Sequence, residues 1–409
     1  VLYNNTISAT VANGNNLVAG LVGQLNGGNI VKNTTGGGAI NLQGTSANVI
    51  VGGLVAKGEG NEAQVKDNTI ALGKADSISK RFGGLLGEDS KKLVFEHNSI
   101  SGEVEFNKNV SDDSISGGLV SIPKTSVFTD NEISLKLTDR STSENSSVGG
   151  YFGFIDSAYS VSEVKEENGV QYYTNSNTLT ADAVFQGVHN VGLQVGRMKD
   201  WTRSALDTSS SNVKATAIGF EYVGGMVGRV IGYVDKFDNL TSAGTIKSVK
   251  VGTGAPQYFG GLFGGIDDTK EVKLNALTNN CDIDVFNTDS YANLVGGIIG
   301  KLGAVPKYNT NKDYDYKVHS EVVFGNGEGE YNTQQYSIVN CATNAKTIKG
   351  RYYVGGIIGS LATQGKDLVL NNLTSEGTVY GLGGVGGILG LSYTPGNNED
   401  SLQITTLKN

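Results

Sequence analysis

A five-residue unit of two glycines, two apolar residues and a further glycine recurs along the whole chain of 409 residues. Clear copies begin at positions 83, 224, 260, 296, 355 and 386, and degenerate copies begin at positions 19, 52, 117, 149 and 192. Successive copies lie 31 to 36 residues apart, except for two intervals of 43 and 59 residues. Repeats of this length are typical of solenoids, in which each unit can bury its apolar face only against its neighbours.

Each repeat contains short runs with strand character, such as residues 100–106, separated by clusters of Asn, Asp, Ser, Gly and Lys. No window has an amphipathic period long enough for a packed helix. The sequence therefore predicts an all-β protein, a parallel β-helix (β-solenoid) of about eleven coils stacked about 4.8 Å apart. We expect residues 1–409 to form one continuous solenoid, a segment of a longer chain, with loop insertions near 156–180 and 303–338.

An asparagine followed by a short apolar or Thr-rich run precedes the glycine units by 13 to 22 residues. Stacked in register, such asparagines would form ladders of side-chain hydrogen bonds. Glycine would permit positive φ at the corners and close approach of neighbouring backbones. The asparagines concerned are Asn5, Asn68, Asn98, Asn131, Asn239, Asn280, Asn340 and Asn372.

The two central residues of each glycine unit are both apolar, whereas successive side chains of a flat strand face opposite sides. If the strand is flat, one set lies outside and forms an apolar ladder larger than ordinary surface patches. That ladder would be covered by loops or by another molecule, and it is our candidate stripe for self-association. The alternative is a bulge that turns both residues inward, and the sequence leaves both open. The stripe comprises Leu85, Met226, Leu262, Ile298, Ile357 and Ile388.

The run Val-Gly-Gly-Ile-Ile-Gly at 354–359, together with Asn-Cys-Ala-Thr at 340–343, resembles the GLUG repeat family. That repeat is found in bacterial surface-exposed and secreted proteins, including filamentous-haemagglutinin-like adhesins and the non-catalytic regions of immunoglobulin A peptidases. The resemblance covers essentially the whole chain; the unit at 192–196 and the 59-residue interval depart from it. It implies an extracellular β-helical stalk or adhesive module on a bacterial cell surface. The implied partner is a protein or glycan on a host or neighbouring cell.

Composition disfavours two other classes of function. The chain carries 40 acidic and 32 basic residues, a formal net charge of −8, which would repel the phosphates of nucleic acids. No apolar stretch is long enough for a transmembrane helix, so we expect no membrane insertion of this segment. No charged-then-apolar leader opens the sequence, so we expect any targeting signal to be absent or removed.

Catalytic constellations are not evident in the sequence. The three histidines, His97, His189 and His319, are not spaced as metal ligands, and we interpret them as exposed loop or strand-face residues. We therefore predict a non-enzymatic protein without a cofactor. The alternative is a polysaccharide-degrading lyase or glycoside hydrolase, which needs clustered carboxylates in a groove. Its candidates are Asp267 with Asp268, and Asp282 with Asp284. A third class, ice binding, would need flat Thr-x-Thr arrays in every coil, which the sequence lacks.

The insertion at 303–338 is rich in tyrosine, a residue suited to recognition of proteins and glycans. Its candidate binding residues are Tyr308, Tyr314, Tyr316, Tyr331 and Tyr336. The segment 309–315 places oxygen-bearing residues alternately, as in a calcium loop, but Tyr314 replaces the glycine of the sixth position. Calcium therefore stays an alternative to a solvated loop. The second candidate binding loop is 163–173.

Cys281 and Cys341 each follow an asparagine, which predicts equivalent positions in adjacent coils. Stacking would bring their Cα atoms within the range of a disulfide. A buried, reduced cysteine ladder is the other interpretation, because side chains in register point the same way.

Overall fold

The computed structural model consists of β-strands and their connections, without helices, in the residues that it describes. These are residues 1–393 apart from positions 15, 37, 47, 78 and 253 and segments 60–62, 91–92, 109–110, 157–165, 168–169, 172–173, 202–212, 235–236, 268–271, 287–291, 304–334 and 363–366. Among them, all strand pairs but one are parallel. Each parallel pair joins one turn of the chain to another. The predicted class, an all-β parallel solenoid, is confirmed.

Eleven parallel strands, here called the entry sheet, lead into the glycine units. The first glycines lie side by side in this sheet, with Gly260 between Gly224 and Gly296. The sequence repeat is therefore a ladder whose members come from successive coils. The strands are Leu17–Ala19, Ile50–Gly52, Arg81–Gly83, Ile115–Gly117, Ser147–Gly149, His189–Gly192, Glu221–Gly224, Gln257–Gly260, Asn293–Gly296, Tyr352–Gly355 and Gly383–Gly386.

The strands that leave the glycine units form a second face, here called the exit sheet. Its first part is Val22–Leu25, Val55–Gly58 and Leu86–Asp89. Val120 bridges Leu86 and Phe152 and so connects the two parts. The second part is Phe152–Ile155, Val195–Trp201, Val227–Val234, Phe263–Asp267, Ile299–Leu302, Ile358–Ala362 and Leu389–Tyr393.

The remaining strands close each coil. A twelve-stranded sheet comprises Thr6–Ile7, Thr34–Thr35, Thr69–Ser77, Ser99–Phe106, Glu132–Asp139, Thr178–Leu179, Val184–Gln186, Thr216–Gly219, Thr245–Ser248, Asp282–Asp284, Thr347–Lys349 and Thr378–Tyr380. A six-stranded sheet comprises Leu2–Tyr3, Asn29–Val31, Ala63–Lys66, Leu93–Glu96, Val127–Thr129 and Thr174–Asn175.

Four smaller sheets complete the described strands. Two have four strands each, Phe237–Asp238, Val272–Asn275, Gln335–Val339 and Asp367–Asn371, and then Thr241–Ser242, Thr278–Asn279, Ala342–Thr343 and Thr374–Ser375. Thr10–Gly14 pairs with Asn41–Gly44, and Glu166–Glu167 forms an antiparallel hairpin with Val170–Gln171.

Both central residues of the glycine unit point into the core. In the coil at Ile50–Gly52, the entry strand ends at Gly52, Gly53 and Leu54 form a bend, and the exit strand begins at Val55. Because the chain turns between the two apolar residues, the alternation of a flat strand does not apply, and both Leu54 and Val55 are fully buried.

The predicted exposed stripe is therefore wrong, and the alternative with both residues turned inward describes the structure. Of its members, Leu85, Met226, Leu262, Ile298 and Ile357 are fully buried, and Ile388 is partly buried against the core. Their side chains hold neighbouring coils together from inside, which leaves none of the five available to a docking partner.

Close approach of neighbouring coils explains the glycines. A Cβ atom on Gly297 would lie 2.0 Å from the carbonyl oxygen of Gly356, far inside any tolerated contact. Glycines with positive φ occur elsewhere, for example at Gly102 and Gly244. The glycine units thus need room for the next coil, and the predicted role of positive φ does not apply to them.

The asparagine landmarks fall into two classes. In the first half, a residue with positive φ forms the corner and the following asparagine lies inside, where its Nδ2 donates to the Oδ1 of the next asparagine at 2.8–2.9 Å. This ladder is Asn5, Asn33, Asn68, Asn98, Asn131 and Asn177. In the second half, Asn239, Asn340 and Asn372 are themselves the corner residues with positive φ. Asn280 belongs to neither class, because its coil turns at Ala276.

That displaced corner also separates the cysteines. Thr278 pairs with Ala342 and Asn279 with Thr343, so Cys341 lies beside Leu277 rather than beside Cys281. The prediction of equivalent positions is therefore wrong. Both thiols are free and buried. This agrees with the interpretation of buried, reduced cysteines, but the two do not stack as a ladder.

We expect neither cysteine to react with a thiol reagent in the folded protein at neutral pH. Burial raises the pKa of Cys281 to about 12 and that of Cys341 to about 11, and the reactive species is the thiolate. Titration with Ellman's reagent checks this: both thiols should label in denaturant and almost none in buffer. Fast labelling of either cysteine before unfolding would contradict the buried positions.

Candidate functional site

We call the corner at which each coil passes from the entry sheet to the exit sheet the elbow. The entry strands that lead into it become longer halfway along the rod. The first five entry strands have three residues, and those from His189–Gly192 onward have four. The second residue of each longer strand has positive φ; these residues are Asn190, Tyr222, Tyr258, Leu294, Tyr353 and Gly384. This conformation is unfavourable for bulky side chains and persists only where the surroundings enforce it. The elbow of the second half is therefore our candidate site.

The enforced conformation builds a second apolar cluster outside the main core. Tyr222, Tyr258 and Leu294 are buried there together with Ala362, and Tyr353 packs against them. The rings of Tyr222 and Tyr258 are 4.7 Å apart between centroids. Aromatic side chains from successive entry strands thus stack on one another and fill the elbow.

The exit sheet supplies charged partners for these rings. Its outward row runs Phe154, Arg197, Arg229, Gly265, Lys301, Ser360 and Leu391 in register. Gly265 makes room, because a Cβ there would lie 2.7 Å from ring atoms of Tyr222. The guanidinium of Arg229 lies 4.4 Å from the Tyr222 centroid, and the ammonium of Lys301 lies 4.8 Å from that of Tyr258. These are cation–π distances.

A buried carboxylate holds the two cations. Asp267 Oδ2 lies 2.7 Å from Arg229 Nε, and its Oδ1 lies 2.9 Å from Lys301 Nζ. Lys301 Nζ also donates to the hydroxyl oxygen of Tyr222 at 3.1 Å. We call Tyr222, Arg229, Tyr258, Asp267 and Lys301 the elbow cluster. Only 5% of the Asp267 side chain and 8% of that of Lys301 are exposed.

Near neutral pH, the shifted pKa values keep Asp267 ionised and the hydroxyl groups of Tyr222 and Tyr258 neutral. Burial alone would raise the pKa of Asp267, but Lys301 and then Arg229 hold it below its ordinary value. Burial raises the pKa of Tyr222 and of Tyr258 well above that of free tyrosine, with nearby carboxylates adding to the effect. A carboxylate paired on both oxygens and two neutral tyrosines are poorly suited to proton transfer. The cluster is suited to joining coils across the elbow.

The stabilising effect of Asp267 should disappear in acid. Because its folded-state pKa lies below the unfolded value of about 3.9, its contribution is complete above that value and is lost as pH falls through the folded-state pKa. We expect the difference in free energy of unfolding between the wild type and Asp267→Ala to be constant above about pH 5 and to shrink below about pH 4. Urea unfolding across this range checks it. A difference that grows in acid would contradict the assignment.

Two histidines lie within the described residues, in different settings. His189 pairs with Glu221 along the entry sheet, 3.0 Å from Nδ1 to Oε2, with 11% and 8% of their side chains exposed. The expectation of an exposed histidine is therefore wrong here, because the widened elbow covers this row. His97 is exposed at a corner, 3.6 Å from Asp67 and 3.7 Å from Asp130. His319 lies outside the described residues.

The tyrosine-rich insertion falls almost wholly outside the described residues. Tyr308, Tyr314, Tyr316 and Tyr331, and with them the candidate calcium segment 309–315, stay predictions. Tyr336 lies in the strand Gln335–Val339, in register with Val272 and Leu368, so its assignment to a loop is wrong. The loop at 163–173 contains the antiparallel hairpin, whose side chains are not described.

The two candidate carboxylate pairs of the polysaccharide-degrading alternative lie in different parts of the fold. Asp267 belongs to the exit sheet, whereas Asp282 and Asp284 lie on the twelve-stranded sheet. Asp282 Oδ1 accepts from the backbone N–H of Lys346 at 3.1 Å, and Asp284 lies 3.8 Å from Lys349. Asp268 is outside the described residues.

Sequence reasoning missed the elbow cluster, although a signal was present. Tyr222, Tyr258 and Tyr353 each lie two residues before a glycine unit, and Arg197, Arg229 and Lys301 each directly follow one. Alignment of the repeats on their glycines would have shown both columns. That they face each other depends on the extra residue with positive φ, which the spacing of the repeats does not reveal.

In the described part of the chain, no three His, Cys, Asp or Glu side chains converge as metal ligands would. The same residues include no helix with the length and apolarity needed to cross a membrane. No family model, curated protein or solved structure matches the chain.

Proposed function

We propose that the chain is a non-enzymatic structural and adhesive module, an extracellular β-solenoid rod of a bacterial cell-surface protein or filament. The observation that carries this proposal is the entry sheet, whose eleven parallel strands run in register from Leu17 to Gly386. Such stacking gives an elongated body with equivalent surfaces repeated along its length.

Rows of equivalent side chains favour attachment through many weak contacts. On the outward face of the twelve-stranded sheet, one row runs Thr216, Thr245, Asp282, Thr347 and Thr378. Hydroxyl and carboxylate groups repeated at the coil spacing of about 4.8 Å suit a repetitive partner such as a surface glycan. The resemblance to the GLUG repeat family supports the same role and the same location.

The alternative, a polysaccharide-degrading enzyme, finds less support at the elbow. Hydrolysis requires a carboxylic acid and a second carboxylate facing each other across a bound sugar. Asp267 is instead engaged by two cations on its two oxygens. No observation in the described residues favours this alternative.

Adhesion of coated beads tests the proposal. Beads carrying the purified chain should bind bacterial or epithelial cell surfaces saturably, and soluble chain should compete. Albumin-coated beads are the control for non-specific attachment. A second arm replaces Tyr308, Tyr314, Tyr316 and Tyr331 by serine, which should reduce attachment if the insertion carries the epitope. Release of reducing ends or unsaturated sugars from a polysaccharide panel would overturn the proposal, as would attachment no better than albumin.

A further inference from the structure

A carboxyl group lies inside the rod at the end of the strand Glu132–Asp139. Asp139 occupies an inward position, in register with Phe106 of the preceding coil, and only 3% of it is exposed. In the part of the chain that the structure describes, its contacts are with uncharged groups. A buried carboxylate without a cation is costly, so this position favours a neutral group.

Four donors surround the two oxygens of Asp139. Oδ1 accepts from Asn107 Nδ2 and from the backbone N–H of Ser141, both at 3.1 Å. Oδ2 accepts from the hydroxyl groups of Ser114 and Ser116, at 2.5 and 2.8 Å. Three of these partners belong to the preceding coil, so the carboxyl group joins two coils inside the rod.

The two oxygens differ in what their partners can do. Asn107 Oδ1 accepts from the backbone N–H of Ser79 at 2.9 Å, which leaves Asn107 Nδ2 as a donor toward Asp139. The partners at Oδ1 therefore only donate, whereas a hydroxyl group can donate or accept. A proton on Oδ2 can be donated to one hydroxyl oxygen while the other hydroxyl group continues to donate. Two hydrogen bonds at Oδ2 are then kept when the charge is removed.

The titratable groups on the segments around Asp139 lie in ion pairs of their own or at the surface. The ion pairs are Arg140 with Glu105, Arg81 with Glu88, and His189 of the following coil with Glu221. The exposed groups are Glu103, Lys108, Asp112, Asp113, Glu132, Lys136, Glu144 and Asp182. Burial accordingly raises the pKa of Asp139 above its ordinary value, although hydrogen bonds from Ser114, Asn107 and Ser116 favour the ionised form.

We propose that Asp139 is a pH-sensitive switch in the first half of the rod. In weak acid its Oδ2 takes up a proton from solution, the buried charge disappears, and the two coils that meet at Asp139 are held together more firmly. This inference goes beyond the proposed function and does not depend on it.

The sign is opposite to that of Asp267. Because the folded-state pKa of Asp139 lies above the unfolded value of about 3.9, the stabilisation by the bound proton is complete below that value. It is lost as pH rises through the folded-state pKa. Asp267 loses its effect only below about pH 4. Weak acid above that limit should therefore strengthen the contact at Asp139 while the elbow cluster stays intact.

Asp139→Asn tests the proposal, because it removes the charge and keeps the shape. Its Nδ2 can donate to the two serine hydroxyl groups, and its Oδ1 can accept from Asn107 and Ser141. At pH 8 this variant should unfold at a higher urea concentration than the wild type. The gap should close as pH falls to about 4, where the wild type is also neutral at this position.

Asp113→Asn is the matched control. Asp113 also accepts from a serine hydroxyl group, that of Ser143, but it is exposed. Its urea midpoint should follow that of the wild type at every pH. Agreement of the two circular dichroism spectra with the wild type would show that both variants fold.

Infrared spectra of the wild type give a readout that does not depend on stability. The difference between spectra at pH 8 and pH 4.5 should contain the C=O stretch of a buried protonated carboxyl group, and the same difference for Asp139→Asn should lack it. A wild type without this band would overturn the proposal. So would an Asp139→Asn variant that is less stable than the wild type at pH 8, or a gap that widens in acid, since either would mean that the ionised form is the favoured one.

Discussion

Replacing Asp267 with alanine is expected to lower the free energy of unfolding by about 3–5 kcal/mol. The substitution leaves the guanidinium of Arg229 and the ammonium of Lys301 in the elbow without the carboxylate that both contact, at 2.7 and 2.9 Å. Uncompensated buried charge is among the largest penalties that a single substitution can introduce. Urea unfolding followed by circular dichroism measures the loss.

Asp284→Ala is the matched control. Asp284 lies 3.8 Å from Lys349 on the neighbouring strand, but 53% of its side chain is exposed. Exposed pairs contribute about 0–1 kcal/mol, so this variant should unfold almost as the wild type does. Equal effects of the two substitutions would mean that the elbow cluster is solvated and not a buried junction between coils.

Asn98→Ala is expected to lower the free energy of unfolding by about 2–4 kcal/mol. Asn98 Oδ1 accepts from both the backbone N–H and the Nδ2 of Asn68, and its Nδ2 donates to Asn131 Oδ1 and to Val65 O. The substitution removes all four bonds at a fully enclosed position and leaves the Asn68 N–H without its acceptor. Chemical unfolding provides the measurement.

An exposed asparagine pair serves as the comparison. Asn344 Nδ2 donates to Asn280 Oδ1 at 3.1 Å on the rod surface. Water replaces this bond, so Asn344→Ala should change stability by less than about 0.5 kcal/mol. If Asn98→Ala proved equally mild, the ladder would be incidental and stacking would depend on the apolar core alone.

The glycine spacing was sufficient to predict the solenoid, because only stacked coils bury a face that repeats at this length. It was not sufficient to predict that the side chains of Leu85 and Leu262 point inward. Their direction depends on two-residue bends, which begin at Gly84 and at Gly261. The corner asparagines were misaligned for a related reason. Ala276 takes the corner conformation in place of an asparagine, and the sequence gives no sign of it, so Cys281 was matched to the wrong partner.

The elbow cluster needed the structure because it joins columns from different sheets. Tyr222 and Lys301 are 79 residues apart and meet only after two coils are stacked. Their encounter also requires a tyrosine with φ of 57°, a conformation that propensity assigns to glycine or asparagine. Local sequence rules therefore argue against the backbone geometry on which the cluster depends.

The change from three-residue to four-residue entry strands has a consequence for how such a gene can grow or shrink. A duplication or deletion of one whole turn preserves every pairing if the new neighbours are of the same type. Across the junction of Ser147–Gly149 with His189–Gly192, however, the two types meet only once. Exchange of whole turns within either half should therefore keep the pairing of the entry sheet, whereas a chimaera that interleaves the halves would repeat this junction several times. The rod thus contains two kinds of turn, and each kind pairs with its own kind except at this one junction.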